Sequence, residues 1–279
     1  MKLETFLEKN NERKVEVGGF SIRYNCFDSA KRTVKAIFND NSPYKFVSKT
    51  QTPTIIDVGS GIGISTLYFK SLYPQATVLC FEPDNKSFEM LQENVEKNRL
   101  ENIELFNYAL STKEGNAKFF GQLFSDFADN RGSSLIEEWA CQRKENDFTE
   151  VTTKKLSDYI NKPIDFLKLD AVGCEEQILE ELENAGKLSL ISEMAIEMYQ
   201  ATRIKSINSL PRIFAILKHN HFEITINGRD SSFLLENEDT RQWTKRAKPL
   251  LFTIHALSMG YVSDTEKDEI IHEKEESFA

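Results

Sequence analysis

The stretch TIIDVGSGIGISTLYFKSLYPQATVLCFE, residues 54–82, decides the fold. Its first residues predict a short buried strand, and Gly59, Gly61 and Gly63 then allow a tight turn because no Cβ stands in the way. A helix and a second apolar strand are expected to follow, and the stretch ends at the acid Glu82. Strand, glycine turn, helix, strand and acid together predict one half of a doubly wound α/β fold.

The ligand of this turn is indicated by its glycine spacing and by Asp57. A dinucleotide fingerprint G-x-G-x-x-G counted from Gly59 needs its third glycine at the position of Ile64. Asp57 stands directly before the turn, where an acid repels a pyrophosphate but attracts an ammonium group. S-adenosylmethionine fits this arrangement. Its amino group is expected to approach Asp57, and its carboxylate to face the backbone N–H groups and the Ser65 hydroxyl.

Glu82 follows the turn at a spacing that suits an acid accepting both hydroxyls of a ribose. NAD-dependent enzymes share this feature, so Glu82 does not by itself distinguish the two cofactors. An NAD-dependent oxidoreductase therefore stays open as an alternative, disfavoured by Ile64 and Asp57.

Composition limits the class of protein. The 279 residues are 40% hydrophobic, which suffices for one sizeable core, and no apolar run approaches the ~18 residues that span a bilayer. The net charge of −9 argues against a nucleic-acid partner. The N-terminus lacks the apolar segment of a secretory signal. The four cysteines, Cys26, Cys80, Cys141 and Cys174, show no C-x-x-C spacing, so free thiols and a cytoplasmic location are expected, with no membrane contact.

Three segments are expected along the chain. Residues 1–53 form an accessory segment with a hairpin around Gly18-Gly19 and a helix over residues 29–38, which either covers a substrate pocket or merely caps the core. Residues 54–261 form the ligand-binding domain, in which Asp84 is expected to cap a helix through about residue 99, and further helices are expected over residues 175–188 and 206–217. Its last two strands, 222–227 and 250–257, are predicted to pair antiparallel. Residues 262–279 form a charged tail, expected to be mobile or a solvated helix.

Polar side chains follow the ends of three further predicted strands. Asn107, Tyr108 and Ala109 end the strand that begins at residue 103, Asp170 follows the strand 164–169, and Glu197 lies near the end of the strand 190–198. Ligands of open α/β sheets bind at the carboxyl ends of the strands. We therefore expect an adenine ring beside residues 107–109 and the reacting groups near Asp170 and Glu197.

Four runs of sequence resemble one family. DVGSGIG, FEPDNKSFEMLQENVEKNRLENIELFNYALS, TTKKLSDYI and IDFLKLDAVGCEEQIL are similar, in this order, to the FkbM family of S-adenosylmethionine-dependent methyltransferases, over roughly residues 15–255. The resemblance implies a class I methyltransferase fold, a Rossmann-like sheet of seven strands. It also implies mostly O-methylation of hydroxyls on sugars or natural products, with N-methylation of peptide side chains by some members. Small-molecule, glycan and peptide acceptors therefore all stay open.

By the same resemblance, a set of positions carries over as the cofactor pocket. They are Asp57, Gly59, Gly61, Ser65, Glu82, Asn107, Ala109 and Asp170, and their neighbours Ser60, Pro83 and Tyr108 complete the expected set. The chain departs from the family pattern D-[VI]-E-G-x-E at Val172, where the pattern has glutamate. If that glutamate deprotonates the acceptor in relatives, this chain needs another base or an acceptor that needs none. A non-catalytic cofactor-binding protein is a further alternative.

A base is needed only to remove the acceptor's proton, because methyl transfer from a sulfonium is an in-line displacement. Asp170 and Glu197 are the expected catalytic residues, since they end adjacent central strands. His219 and His221 are interpreted as cap or surface residues, and His255 as a core residue. Two carboxylates are too few to predict a metal site.

The acceptor pocket is expected at the carboxyl edge of the sheet. The loop 121–134 and the N-terminal residues 24–38 should lie over this edge, because little else in the chain is free to cover it. The expected wall residues are Phe124, Phe127, Arg131 and Tyr199.

Overall fold

A computed structural model describes residues 5–9, 12–120, 133–137, 148–200, 208–227 and 250–259. A small antiparallel sheet comes first, with β1 (Thr5–Lys9), β2 (Glu12–Val17) and β3 (Phe20–Arg23) in that order. β2 and β3 form the predicted hairpin, and its two turn glycines have positive φ angles of 56° and 87°. The predicted N-terminal helix is α1 (Phe27–Ile37). Strand β1 was not predicted, because its sequence TFLEK is too short and mixed to give a period.

The remaining elements follow in chain order. They are β4 (Thr54–Val58), α2 (Ile64–Leu72), β5 (Thr77–Phe81), α3 (Asn85–Lys97), β6 (Ile103–Phe106), β7 (Ala109–Leu110), β8 (Gly115–Phe120), β9 (Phe148–Lys154), β10 (Ile164–Leu169), α4 (Glu175–Asn184), β11 (Ile191–Gln200), α5 (Leu210–His219), β12 (Phe222–Asn227) and β13 (Leu250–Ser258). Short 3₁₀ helices cover Leu156–Tyr159 and Leu188–Leu190.

Seven strands form the central sheet in the order β12-β13-β11-β10-β4-β5-β6. The described pairs are parallel except those of β13, which is antiparallel to both β11 and β12. The sheet reverses its direction of growth between β4 and β10, which places a ligand crevice at their carboxyl ends. The predicted class I methyltransferase fold, doubly wound with an antiparallel last strand, is confirmed.

Two apolar clusters cover the two faces of this sheet. On one face, residues of the N-terminal segment, α2 and α3 pack against the inward side chains of β4, β5 and β10. On the other face, α4 and α5 pack against the alternate side chains of the same strands and of β11. Since successive side chains of a strand point to opposite faces, strands buried on both sides read as continuous apolar runs, which is why the central strands were predictable.

Several boundaries differ from the predictions. The helix predicted to run from Glu175 to Leu188 ends at Asn184, and Gly186 follows with a φ of 66°. The helix predicted from Ser206 begins at Leu210, with Ser209 as its N-cap. The tail 262–279 and most of the loop 121–134 lie outside the described residues.

A third sheet, in the order β7-β9-β8, was not predicted. Only short apolar pieces near residues 118–120 and 151–152 marked it, and β7 has only two residues. Its core is small, with Ala109, Phe119 and Val151 buried together. Among the helices that the structure describes, none is both long and apolar enough to cross a bilayer.

Candidate active site

The carboxyl ends of β4, β10 and β11 bring four ionisable side chains together at one edge of the sheet. Asp57 of β4 and Lys168 of β10 are direct partners in the parallel register. Lys168 is in turn the partner of Ala195 on β11, so Glu197 lies two residues further along on the same face. Asp170 follows directly after β10. The predicted convergence of Asp57, Asp170 and Glu197 at one sheet edge is therefore found in the structure.

Asp57 is completely buried and binds its own chain. Its Oδ2 atom accepts hydrogen bonds from the hydroxyls of Ser65, at 2.7 Å, and Thr66, at 2.8 Å, and its Oδ1 atom lies 3.1 Å from the Lys168 ammonium. Within the chain, Asp57 thus has three polar neighbours, and its expected contact with a ligand's ammonium group stays a prediction. The Ser65 hydroxyl likewise donates to Asp57 and is itself only 3% exposed. The hydrogen bond between Asp57 and Ser65 thus joins the end of β4 to the start of α2, on either side of the glycine turn.

Lys168 was not predicted as a site residue, although a lysine inside the apolar run IDFLKLD was a visible signal. Its ammonium donates to the carbonyl oxygens of Val58, at 2.9 Å, and Gly59, at 2.8 Å, and lies 3.7 Å from Asp170 Oδ2. Burial lowers the pKa of Lys168, but the charges of Asp57 and Asp170 outweigh that effect and the pKa lies above its ordinary value. Lys168 is thus a buried cation that joins β10 to the start of the glycine turn.

The glycine turn needs glycine for two different reasons. At Gly59, with a φ of 72°, a Cβ would stand 2.1 Å from the carbonyl oxygen of Asp170. At Gly61, with a φ of 55°, a Cβ would meet nothing within 4 Å. The first glycine therefore allows β4 and β10 to approach, and the second leaves open space above the turn. The Ser60 hydroxyl closes the turn by donating to the Asp57 carbonyl at 2.7 Å.

Glu82 ends β5 and binds the same turn. Its carboxylate accepts the N–H of Gly61 at 2.8 Å and the N–H of Asp84 at 2.9 Å, while the residue is only 7% exposed. Burial raises the pKa of Glu82 to about 7, and the two backbone N–H groups oppose that rise. Because a carboxylate has about four lone-pair positions, two remain for other donors. Asp84 is the N-cap of α3, as predicted, and accepts from Ser87 N–H at 2.8 Å.

Residues 107–109 follow β6 beside Glu82. The Asn107 amide donates to the carbonyl oxygens of Glu82, at 2.9 Å, and Pro83, at 3.3 Å, so it fixes the backbone on which Glu82 stands. Tyr108 is partly exposed, and its ring stacks on Phe106 with centroids 6.2 Å apart. Ala109 is buried and begins β7.

Glu197 is partly exposed and receives hydrogen bonds from two hydroxyls. Thr253, its partner on β13, donates at 2.9 Å, and Tyr44 of the N-terminal segment donates a second bond. Burial and the nearby charge of Asp170 raise the pKa of Glu197 to about 7, against these two bonds and the Lys168 charge. Tyr44 was not predicted, because residues 39–53 form no regular element and no pattern marks them. The predicted covering range 24–38 therefore stopped short of Tyr44.

Glu175 holds the turn that contains Val172. This buried carboxylate accepts the N–H of Ala171 at 2.8 Å, the N–H of Gly173 at 2.9 Å and the side-chain amide of Asn208. Burial raises the pKa of Glu175 to about 7. Val172 itself has a φ of 46°, which is unfavourable for a β-branched residue, and its carbonyl accepts a hydrogen bond from the Ser134 hydroxyl at 2.7 Å.

The histidines lie where they were expected. His219 is exposed and its Nδ1 atom lies 2.9 Å from Glu183, at the end of α5. His221 begins the turn into β12, at the opposite end of the sheet from Asp170. His255 is buried in β13. Phe124, Phe127, Arg131 and the Tyr199 side chain lie outside the described residues. Within the described part of the chain, no three His, Cys, Asp or Glu residues are grouped to hold a metal ion.

Comparison with known families identifies the class of protein. A family model described as the methyltransferase FkbM domain matches residues 57–224, more than half of the chain.

The chain belongs to the FkbM methyltransferase family.

It is therefore an S-adenosylmethionine-dependent methyltransferase, and the alternative of an NAD-dependent oxidoreductase is wrong.

Curated relatives are also methyltransferases. The chain is 29% identical to methyltransferase sdnD of Sordaria araneosa over 217 residues, which cover 68% of this chain and 81% of the relative. It is 28% identical to methyltransferase 1 of Beauveria bassiana over 159 residues, 52% of this chain and 64% of the relative. It is 26% identical to the 2-O-methyltransferase NoeI of Sinorhizobium fredii over 146 residues, 46% of this chain and 56% of the relative. The match thus spans less than two thirds of the second and third relatives.

Solved structures of low sequence identity are similar to this FkbM member. The FkbM methyltransferase of Methylobacillus flagellatus has a TM-score of 0.45 and 15% identity, with 75% of this chain and 45% of that chain covered. M. jannaschii TYW2 in complex with AdoMet has a TM-score of 0.44 and 10% identity, with 90% of this chain and 86% of that chain covered.

Proposed function

We propose that this methyltransferase transfers the methyl group to a hydroxyl of a sugar or natural-product acceptor, with Glu197 as the proton acceptor. The observation that carries the proposal is the Glu197 carboxylate, partly exposed at the carboxyl edge of the sheet and bonded by the Tyr44 and Thr253 hydroxyls. A curated relative named as a 2-O-methyltransferase supports a hydroxyl acceptor.

The residues of the glycine turn fit the cofactor. The open space above Gly61 leaves room for a ligand against the backbone, and Glu82 has lone pairs left for the two ribose hydroxyls. The Asn107 amide would hold the backbone of Glu82 and Pro83 in place through its two hydrogen bonds. Tyr108 and Ala109, which follow Asn107, would contact the adenine ring. Asp57, Ser60 and Ser65 would act indirectly, by holding the turn in shape. When bound, S-adenosylmethionine supplies an activated methyl group on a sulfonium sulfur.

Glu197 and Asp170 have different parts in this proposal. As the acceptor oxygen forms its bond to the methyl carbon and the carbon–sulfur bond breaks, the hydroxyl proton passes to the Glu197 carboxylate. A carboxylate with a pKa of about 7 is a stronger base than an ordinary glutamate, and about half of it is ionised at neutral pH. Asp170, 3.7 Å from the Lys168 ammonium and partly exposed, would orient the acceptor by hydrogen bonding. This division would also account for Val172, since Glu197 supplies the base that the family's glutamate would otherwise supply.

The acceptor is proposed to be a small molecule or a glycan, and peptide N-methylation is the competing reaction. The two are separated by incubating the protein with S-adenosylmethionine and three acceptor sets: polyhydroxylated sugars, phenolic natural products and peptides with amide and amine side chains. S-adenosylhomocysteine formation is the readout. Turnover with hydroxyl acceptors supports the proposal, and turnover with peptides alone contradicts it.

The role of Glu197 is tested by Glu197→Gln, with Glu223→Gln on β12 as the control because Glu223 is exposed. We expect a loss of turnover of about 10²–10⁴-fold in Glu197→Gln, the usual contribution of a general base, with S-adenosylhomocysteine affinity unchanged. Equal turnover in the two variants would exclude Glu197 as the base.

We also propose that residues 1–53 belong to the functional unit with residues 54–261, because Tyr44 reaches Glu197. The cytoplasmic location inferred from the cysteines and the absence of nucleic-acid and membrane partners remain proposals of the same kind.

A further inference from the structure

The edge strand β3 of the N-terminal sheet is held by two asparagines of α3. Asn98 Oδ1 accepts the N–H of Ser21 at 2.8 Å, and its Nδ2 donates to the Ser21 carbonyl at 2.9 Å. Asn94 repeats the pattern on Arg23, accepting its N–H at 2.7 Å and donating to its carbonyl at 3.0 Å. Each side-chain amide thus pairs with one residue of β3 as a neighbouring strand would.

Helix and strand geometry explain why this pairing works. Four residues along a helix advance about 6 Å, and two residues along a strand advance nearly 7 Å, so amides at positions i and i+4 match backbone groups at positions j and j+2. In an antiparallel sheet, residues j and j+2 expose their N–H and C=O groups on the same edge. The two asparagines therefore supply hydrogen-bond partners for backbone N–H and C=O groups on the outer edge of β3, which points away from β2.

Only one of the two asparagines also reaches the glycine turn. Asn94 Nδ2 donates a further hydrogen bond to the carbonyl of Ile62 at 2.8 Å, and Asn94 is 1% exposed. One turn earlier on α3, Leu91 lies against Gly63, where a Cβ would stand 2.7 Å from Leu91 Cδ1. α3 thus supports the turn from behind through Leu91 and Asn94, while Asn98 donates its additional bond to the Asn94 carbonyl at 2.7 Å.

We propose that Asn94 is a positioning residue that couples the docking of the N-terminal sheet to cofactor binding at the glycine turn. The two donor hydrogens of one amide are shared between Arg23 and Ile62, so displacement of β3 removes an orienting contact from the amide that holds the turn. By thermodynamic reciprocity, a ligand that fixes the turn strengthens the docking of the N-terminal sheet to the same degree. This inference rests on the proposed placement of the cofactor at the glycine turn.

Asn94→Ala and Asn98→Ala form a matched pair for the test. Both variants remove a two-bond clamp on β3, but only Asn94→Ala releases Ile62. Calorimetry with S-adenosylhomocysteine is expected to show affinity within about twofold of wild type for Asn98→Ala and at least about tenfold weaker for Asn94→Ala, the usual effect of losing a buried hydrogen-bonding group. Asn94→Asp keeps the acceptor for Arg23 N–H but has no donor for Ile62, so it is expected to bind as weakly as Asn94→Ala. Equal affinities in the Ala pair would overturn the proposal.

Hydrogen exchange of the wild-type protein tests the same coupling without any substitution. Saturating S-adenosylhomocysteine is expected to slow exchange at the amides of Ser21 and Arg23, which are remote in sequence from the turn. Unchanged exchange at both amides in the ligand-saturated protein would overturn the coupling even if the variants fail to fold. A wild-type protein that binds no S-adenosylhomocysteine, or a Gly61 variant that binds it normally, would instead overturn the placement of the cofactor.

Discussion

At the scale of the residue, the proposed contact of Glu82 with the cofactor is expected to make cofactor affinity depend on pH near neutrality. Its carboxylate must be ionised to accept the Gly61 N–H and ribose hydroxyls together, and burial raises its pKa to about 7. A protonated Glu82 loses acceptor capacity. The affinity for S-adenosylhomocysteine is therefore expected to fall as pH decreases from 8 to 6 and to level off above pH 8, as measured by calorimetry at each pH.

Glu82→Gln is the comparison that identifies the titrating group. The neutral amide removes the charge-assisted acceptor, so affinity is expected to fall by about 1–3 kcal/mol at pH 8. It also removes the titration, so the curve for the variant is expected to be flat between pH 6 and 8. A wild-type slope that persists unchanged in Glu82→Gln would assign the titration to another group.

Val172 stands where the family pattern described in the sequence analysis has glutamate, and its backbone conformation bears on the effect of a replacement. The left-handed φ of 46° disfavours a β-branched side chain more than an unbranched one. Val172→Glu is therefore expected to keep or raise the melting temperature. It is expected to change turnover or acceptor preference while S-adenosylhomocysteine affinity stays within about 0.5 kcal/mol, as for a residue outside the cofactor contacts.

Val172→Gln has a side chain similar in size to that of Val172→Glu but without its charge, so comparing the two variants isolates the effect of the charge. An effect on turnover seen with glutamate and absent with glutamine identifies a carboxylate acting on the acceptor. A large loss of cofactor affinity in both variants, with the circular dichroism spectrum intact, would place position 172 in the cofactor site.

At the scale of the element, substitutions at two glycines of the turn are expected to affect different properties, folding stability at Gly59 and cofactor binding at Gly61. A Cβ at Gly59 meets the Asp170 carbonyl between β4 and β10, so Gly59→Ala is expected to lower the free energy of unfolding by about 1–3 kcal/mol, the usual cost of overpacking, or more. A Cβ at Gly61 meets no protein atom, so Gly61→Ala costs only the left-handed backbone, about 1–2 kcal/mol, but stands where the ligand is proposed to lie.

Two measurements distinguish the glycines. Thermal unfolding is expected to rank Gly59→Ala below Gly61→Ala, and calorimetry on folded Gly61→Ala is expected to show weakened S-adenosylhomocysteine binding. Normal binding by Gly61→Ala would move the cofactor away from this turn.

The N-terminal segment acts on the proposed base through Tyr44. Its hydrogen bond lowers the pKa of Glu197, against the burial that raises it. Removing the hydroxyl in Tyr44→Phe is therefore expected to raise that pKa further, and the pH at which turnover reaches half its maximum should move to higher values. Tyr73→Phe, which removes another phenol of the same aromatic cluster that bonds Ser48 and not Glu197, serves as the control. A pH profile that shifts equally in both variants would exclude the link from Tyr44 to Glu197.

The helices and strands that could be predicted from the sequence are those whose own residues carry a clear pattern. The buried strands β4, β5 and β10 are continuous apolar runs, and α3 is marked by an N-cap and an apolar face, so each was found within a few residues. Tyr44 and Lys168 were missed because their role depends on contacts across the chain. The ion pair of Asp57 with Lys168 was missed for the same reason, since Lys168 lies on another strand.

At the scale of the whole molecule, one edge of the sheet brings together three described carboxylates whose pKa is raised. Glu82, Glu175 and Glu197 come from three separate parts of the chain, and burial is the largest cause of each raised pKa. Each of these carboxylates is bonded by backbone or side-chain donors that also fix a turn or the base itself. The groups that order the site are therefore the groups whose ionisation opposes folding.

The stability of the protein is expected to fall as pH rises towards neutrality. These glutamates have a reference pKa of 4.5 in the unfolded chain and about 7 in the folded one, so the folded state holds more protons between these values. The free energy of unfolding then decreases with rising pH across this window and becomes level above it. Chemical denaturation at pH 5, 6, 7 and 8 measures the slope, and the exposed Glu223→Gln should leave it unchanged.

Saturating S-adenosylhomocysteine is expected to reduce this slope, because ribose hydroxyls that donate to Glu82 favour its ionised form and lower its pKa in the complex. The ligand should therefore raise the melting temperature more at pH 8 than at pH 6, since stabilisation by a ligand follows its affinity. A larger increase in melting temperature at pH 8 agrees with the expected increase of ligand affinity with pH. Greater stabilisation at pH 6 would show that the ligand prefers protonated Glu82, which is incompatible with a carboxylate that accepts the ribose hydroxyls.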